Sequence, residues 1–498
     1  MNQQAETLRK KTLKGIIWTA ISNFGQQGIQ FVVTIILARL LTPKDFGLVG
    51  IASIFIGLAT VVNQLGIGAA LVQRKDLDEG HLTSAFWTNI TMGTVLCILM
   101  IGFAPFIASY FKNPQVIPIL RVLSLTFLLG SLSIVPGSLL RRELLFNKLA
   151  YVNISALVIS GLVSVILAFL GYGVWSLVWG RIVQVIAGIT LIWLIVSWRP
   201  SFSFSLKKFK ELFSFGISVL GTNLLTYIKK NSDYFIIGKF LGASSLGIYT
   251  MAYNMVTLPQ RKLSTVITTV AFPAFSKIQD EAEKIREGFF TMISSISFVT
   301  FPILAGLCAV APELVRVFLG EKWVGAIRPI QILCIPGALY SIGTTVGSVF
   351  YAKGRPDLEF KCDLISFSIL LGLLLVGVRH GIIGVSLAVM LSSIISFFLF
   401  FGVLSRLIQI SFLQIFRVIS ANVAISVLMF VGVSVVRLLI LRAEYANIVV
   451  LPVSILIGSS IYTILNLSFK TNLDKFCYPK KAFRNFVKIK LTFCKILS

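Results

Sequence analysis

Apolar runs of about 18 to 25 residues, separated by short polar segments, recur along almost the whole chain. Each is long enough for a helix to cross hydrocarbon about 30 Å thick, and far too long for a tilted barrel strand of about 9–11 residues. Backbone amides in hydrocarbon need internal partners, so the pattern predicts membrane-spanning helices. The spans fall at 15–38, 46–65, 83–106, 116–137, 151–170, 174–196, 212–228, 244–271, 289–309, 324–350, 364–378, 382–404, 418–440 and 447–467. An even number puts both termini on one side of the bilayer. With the N-terminus inside, about 29 Lys and Arg residues lie on its side and about 10 opposite, which places both termini in the cytoplasm. The basic start (Arg9, Lys10, Lys11, Lys14) and the apolar stretch to Leu41 could pass for a secretory signal. That stretch exceeds a signal core of about 7–15 residues and lacks a small-residue cleavage site, so it is expected to remain as the first span.

The pattern repeats. Ala38-Arg-Leu-Leu-Thr-Pro-Lys-Asp-Phe-Gly47 matches Gly238-Lys-Phe-Leu-Gly-Ala-Ser-Ser-Leu-Gly247 at an offset of 200. Pro105, Phe111 and Arg121 match Pro312, Phe318 and Arg328 at 207, and Gly171, Ser176 and Leu177 match Gly381, Ser386 and Leu387 at 210. A unit of six helices brings both copies in from the same side, so their pseudo-twofold axis is expected along the membrane normal, with a substrate at their interface. The expected domains are an N-lobe over 1–200, a C-lobe over 201–410, an added helix pair over 411–470 and a basic cytoplasmic tail over 471–498.

Composition sharpens this. Apolar residues make up 56% of 498 and charged residues 13%, and the mean hydropathy is +0.91, against about 45–50% apolar and 25% charged in soluble domains. The six cysteines show no CxxC pair and the two histidines, His81 and His380, lie far apart in expected loops, so neither a metal centre nor a catalytic triad is predicted. The net charge of +26 does not call for a nucleic-acid partner. The segment beyond Phe469, with eight bases against Asp474 and with Phe476, Phe483 and Phe486 between them, directly follows a span and suits anionic headgroups. Ile278, Ala282, Ile285 and Phe289 recur at helical spacing in the loop from Phe272 to Phe290, which predicts a cytoplasmic surface helix there.

Polar residues inside the spans carry the chemistry. Asn23, Gln26, Gln27 and Gln30 share one face of the first span. Their partners at the offset of 200 are Asn223, Thr226, Tyr227 and Lys230, again on one face. Such amides turn away from lipid, either to knit helices together or to line a polar cavity; the pseudo-symmetric set favours the cavity. Arg181 and Gln184 form a similar pair in the sixth span, and Gln260, Arg261 and Lys262 follow Pro259 in the eighth. Arg121 and Arg328 lie near outer span ends, either snorkelling to headgroups or guarding an outer gate, and Arg437 is expected to snorkel. Asp233, Glu211, Glu313 and Asp363 are placed at span edges, so no carboxylate is expected inside a span. An unpaired cation at membrane depth costs at least about 2.5–3.5 kcal/mol, so an anion is expected to come to these bases. Phosphate suits Arg and Lys, and sugar hydroxyls suit the neighbouring amides. Phosphate, sugar and lipid tail describe an amphiphilic anion.

The segments Ala38–Gly47, Leu65-Gly-Ile-Gly-Ala-Ala-Leu-Val-Gln-Arg74 and Phe272-Pro-Ala-Phe-Ser276 carry a resemblance. Over about residues 10–410 the chain resembles the polysaccharide-transport branch of the multidrug/oligosaccharidyl-lipid/polysaccharide flippase superfamily, close to exporters associated with colanic and teichuronic acid. The resemblance implies an all-α polytopic protein of about fourteen helices, two lobes around a V-shaped cavity, and export of undecaprenyl-pyrophosphate-linked oligosaccharide across the bacterial inner membrane by alternating access. It calls for no cofactor, leaves coupling to an ion gradient open without naming the ion, and makes a polysaccharide polymerase or other assembly proteins natural partners.

Three other readings compete. A cation-coupled multidrug antiporter needs carboxylates where this chain has bases. A membrane glycosyltransferase needs an acidic catalytic pair or metal-binding carboxylates that the spans do not supply. A flippase for the peptidoglycan lipid precursor would use the same basic cavity and stays a near neighbour.

Overall fold

The computed structural model describes residues 2–64, 67–74, 76–278, 280–442 and 447–473. Inside its helices, side chains are described except at 2–17, 20–21, 64, 67, 69, 207, 209–220, 222, 259–274, 277, 441–442, 447–448 and 468–473. Among the described residues sixteen α-helices follow one another: α1 (Asn2–Leu40), α2 (Pro43–Gln64), α3 (Ile67–Gln73), α4 (Glu79–Tyr110), α5 (Val116–Ser131), α6 (Ile134–Arg142), α7 (Phe146–Phe169), α8 (Val174–Ile195), α9 (Leu206–Phe240), α10 (Gly242–Lys277), α11 (Ala282–Leu314), α12 (Ile327–Ala352), α13 (Pro356–Gly377), α14 (Gly381–Ile408), α15 (Phe412–Arg442) and α16 (Asn447–Leu473). Strands are absent among the described residues. Each of the fourteen expected spans falls on a helix, the fourth on the bent pair α5 and α6, which turn by 44° at Leu132 and Ser133. Among the described residues nine segments are long and apolar enough to cross a membrane, ten with that pair, and one of the nine, Pro356–Ile408, holds both α13 and α14. The chain is thus a multi-pass membrane protein.

The repeat recurs in the local geometry. Helices α1 and α9 both stop at their repeat equivalents, Leu40 and Phe240. Gly171 and Gly381 both take positive φ, +82° and +70°, just ahead of α8 and at the start of α14. A left-handed turn of this kind strains any residue with a Cβ, which is why both copies keep glycine there. The two starts of the Ala38 and Gly238 motifs nevertheless differ. Thr42 caps α2 in a reciprocal pair with Asp45, its amide and hydroxyl reaching the carboxylate at 2.9 and 2.6 Å, with Pro43 at the first helical position. Helix α10 begins instead on Gly242 at φ +81°.

The chain forms two compact units, Met1–Thr250 and Met251–Ser498. In the first, α4 packs on α5, α7 on α1 and α8, and α9 on α2. Short helix α3 is held by α6, whose Arg142 donates to the carbonyls of Leu71 (3.1 Å) and Arg74 (2.5 Å). In the second unit α11 packs on α12, α15 and α16, and α14 on α12 and α13. Among the described residues one core there joins Phe275, Ile285, Phe289, Ile293 and Ile296 to Phe350 and Phe401.

That core corrects one expectation. No separate surface helix lies between Phe272 and Phe290: α10 runs on to Lys277 and α11 starts at Ala282. Ile285 and Phe289 are fully buried. Their spacing continues into Ile293 and Ile296, so the apolar face of the supposed surface helix is the first turns of the next span. The basic tail expected over 471–498 lies outside the described residues from 474 onward.

Candidate functional site

Helix α8 separates two kinds of surface. Trp179, Ile186, Thr190 and Leu194 are exposed along one stripe, and Arg181 sits roughly 140–180° around the helix from them. Arg181 is also exposed. Its guanidinium donates to Gln184 Oε1 at 2.8 Å, and among the described residues no carboxylate lies within ion-pair distance of it. The helix therefore carries an apolar face suited to lipid and, opposite, a cation with an amide beside it.

The amides of α1 behave alike. α1 rests on α7 through Gly25 against Ile154 and Val33 against Gly161, and Asn23 and Gln27 lie roughly 120–160° around the helix from that contact. Asn23 and Gln30 are exposed and Gln26 and Gln27 half-buried. Gln26 bonds Ser22 Oγ at 2.7 Å and Gln30 bonds Thr34 Oγ1 at 3.4 Å, both within their own helix. None of the four knits α1 to another helix among the described residues.

In α9 the set splits. Asn223, Thr226 and Lys230 are exposed. Tyr227 instead reaches α2, its hydroxyl donating to the Ile54 and Ser53 carbonyls at 2.8 and 3.2 Å and filling the notch over Gly57. Arg121 and Arg328 are exposed near the starts of α5 and α12. Gln260, Arg261 and Lys262 lie in α10, with side chains outside the described residues.

Beyond Tyr227, α9 and the start of α10 meet α2 and α4 closely. A Cβ on Gly47 would overlap the Ala243 carbonyl, and one on Gly247 would overlap the Pro43 carbonyl, so backbone meets backbone on both sides. Around this crossing Phe55, Tyr110, Phe111 and Phe235 pack with ring centroids 5.4–6.4 Å apart. Lys239 lies 3.7 Å from the Tyr110 ring centroid and donates to the Tyr110 carbonyl. The sequence had marked Gly47 and Gly247, and Arg39 and Lys239, as repeat equivalents but not Gly47 and Gly247 as neighbours; Tyr110 had carried no signal.

Carboxylates need correction. Asp233 lies inside α9, which continues seven residues past it, and it is buried, accepting from Tyr249 Oη at 2.8 Å and from the Tyr234 amide at 2.9 Å. Glu313 is also buried, and Arg437 does not snorkel but bonds it at 2.6 Å. Both acids are engaged in buried contacts within their own units. At the opposite end from the crossing, Asp78 caps α4, accepting from the His81 amide and ring at 2.9 and 2.7 Å and from Lys208 at 2.6 Å. Lys208 and the His81 amide hold the Asp78 carboxyl well below the usual carboxylate range. His81 is therefore a buried first-turn residue of α4 rather than a loop residue. The segment before α9 is strapped to the same helix, Trp87 Nε1 donating to the Ser201 carbonyl at 2.9 Å and the Ser205 amide to Ser84 Oγ at 2.9 Å.

Comparison with known proteins matches this chain. It is 31% identical to the lipopolysaccharide biosynthesis protein WzxC of Escherichia coli (strain K12) over 407 residues, covering 80% of this chain and 82% of the relative. It is 33% identical to the teichuronic acid biosynthesis protein TuaB of Bacillus subtilis (strain 168), covering 72% and 74%. The fold is similar to that of the lipid II flippase MurJ in an inward closed conformation, with a TM-score of 0.74 at 18% identity, over 92% of this chain and 99% of that one. The polysaccharide biosynthesis protein family matches residues 36–328. With that match over more than half of its length, and with relatives of this identity and coverage, the chain belongs to the polysaccharide biosynthesis protein family.

Proposed function

We propose that the chain is a flippase, not an enzyme, that carries an undecaprenyl-pyrophosphate-linked oligosaccharide from the cytoplasmic to the outer leaflet of the bacterial inner membrane by alternating access. The observation that carries this reading is Arg181. A guanidinium at membrane depth, turned from lipid and lacking an acidic partner among the described residues, is stable only where water or an anion reaches it. A diphosphate supplies two acceptor groups suited to its planar fork. In this reading Arg181, Arg261, Lys262 and Lys230 hold the diphosphate, while Asn23, Gln26, Gln27, Gln30, Gln184 and Asn223 meet sugar hydroxyls. Tyr227 joins them only when α9 leaves α2, and Arg121 and Arg328 guard the outer side.

The crossing of α2 and α10 then has to part during export, and Lys239 on Tyr110 is one of the contacts that must break. The basic-residue bias puts both termini in the cytoplasm and the crossing on the outer side. WzxC and TuaB are named for lipopolysaccharide and teichuronic acid biosynthesis, which supports a glycan cargo. The multidrug reading loses support because Asp233 and Glu313 are engaged in packing contacts.

Mass spectrometry of lipid extracts from a deletion strain tests the proposal. Accumulation of a prenyl-pyrophosphate oligosaccharide, cleared by the wild-type gene but not by Arg181→Ala at equal protein level, is the expected result. Accumulation of the peptidoglycan precursor instead would reassign the cargo, and no accumulating lipid would sink the flippase reading.

A further inference from the structure

Between α1, α7 and α8 lies a groove of about 580 Å³, lined among others by Trp18, Asn147, Lys148, Tyr151, Ile154 and Ile195. Its origin is local. Farther along the same helices, α1 meets α7 where a Cβ on Gly161 would stand 2.7 Å from Val33 Cγ2, and α7 meets α8 where Gly180 abuts Ser164. Toward the α7 N-terminus the bulkier Trp18 and Tyr151 stand beside Ala150 and Ser155 in the lining.

The lining is graded. Asn147 and Lys148, at the α7 N-terminus, are both exposed, and neither has a side-chain bond to another described residue. From Asn147 to Ser155 the helix rises about 12 Å, close to the depth from headgroup to mid-leaflet. Deeper in, the walls are Ile154 and Ile195, and Trp18 and Tyr151 are the amphipathic aromatics that favour the interface.

We infer that this groove seats one anionic phospholipid, its phosphate against Lys148 and Asn147 and an acyl chain along Tyr151, Ile154 and Ile195. Among the described residues no carboxylate pairs with Lys148, and an ammonium so placed attracts an anionic headgroup, while the apolar walls need a chain to cover them. The seat is separate from the cargo path: Arg181 lies fourteen residues before Ile195 on α8, about 21 Å along the helix, and the groove's lining is too apolar for a sugar. Assignment to the cytoplasmic leaflet rests on the topology proposed above; lipid binding itself does not.

Native mass spectrometry of the full chain tests this, with dioleoylphosphatidylglycerol and dioleoylphosphatidylcholine offered together. The wild type should retain phosphatidylglycerol selectively. Lys148→Glu should lower that retention about tenfold, Lys148→Arg should keep it, and Ile154→Trp should expel the lipid by filling the groove without altering charge. Equal retention of both lipids by the wild type would overturn the inference, as would undiminished phosphatidylglycerol in well-folded Lys148→Glu. Displacement of phosphatidylglycerol by equimolar undecaprenyl phosphate would overturn it too, making the groove a carrier seat. Reporter fusions after Arg142 that read outside would reverse the leaflet and the proposed topology, while the binding result would stand.

Discussion

Two regions of the first unit show opposite ways for a residue to be placed in a membrane helix. At the crossing of α2 and α10, Gly47 and Gly247 lie under carbonyls and the surrounding rings interlock, so every residue there is accounted for by what it touches. On α8 and α1, Arg181, Asn23 and Gln27 make no hydrogen bond or ion pair beyond their own helices among the described residues. The first region is explained by packing. The second is explained only by something that comes and goes, because unpaired polar groups at membrane depth are otherwise costly.

The contrast can be broken most forcefully at the crossing. Gly47→Val should cost about 3 kcal/mol there, since the added atoms displace backbone rather than a flexible side chain. A cysteine replacing Phe235 should then react with a water-soluble maleimide while the inserted amount of protein holds. Labelling as low as in the parent would mean the crossing is looser than its geometry.

Next in size is Arg181→Ala, expected to lower glycan export about 10- to 100-fold at normal protein level, the equivalent of one charge-assisted contact of about 1.5–3 kcal/mol. Gln184→Ala should do less. Unchanged export by the arginine variant would put Arg181 in the packing class after all.

Tyr227→Phe belongs to the packing side, though its neighbours Asn223 and Lys230 do not. Loss of its bonds to the Ser53 and Ile54 carbonyls should lower the melting temperature by about 2 °C, while Asn223→Ala leaves it unchanged. The reverse order would exchange their roles.

The smallest effect concerns Asp78, at the start of α4. Its folded-state pKa is depressed, so the stability it contributes is fully present above the ordinary carboxylate value of about 4 and is lost as pH falls through the folded value. The wild-type melting temperature should therefore fall as the medium is acidified below about pH 4 more steeply than that of Asp78→Asn, which keeps the cap but not the bridge to Lys208. Parallel curves would assign the acid sensitivity elsewhere.

Helix positions were legible because the bilayer demands long apolar runs, and the repeat could be read because turns at Leu40 and Phe240 preserve their spacing. Length was less legible than position. Helix α9 runs over 206–240, well beyond the expected span of 212–228, so Asp233 lies within a helix that its apolar run does not reach. Short α3 was missed because seven residues make too little pattern, although its sequence lies within one of the motifs that carried the family resemblance. Arg181 and the α1 amides were legible as candidates because helical periodicity alone sets their faces. The partner of Arg437 was not, since Glu313 lies 124 residues away in sequence and only folding brings them together.

The glycine crossing is reciprocal. Gly47 meets Ala243 and Gly247 meets Pro43, and at the offset of 200 these are one contact counted twice: position i of one motif on position j of the other, and j on i. Such reciprocity is the pattern of a self-complementary twofold contact. Here each glycine is a separate position of one chain, so two sites must both stay small to keep what a symmetric pair would keep with one, while the capped start of α2 and the glycine start of α10 are where the two halves of the contact differ.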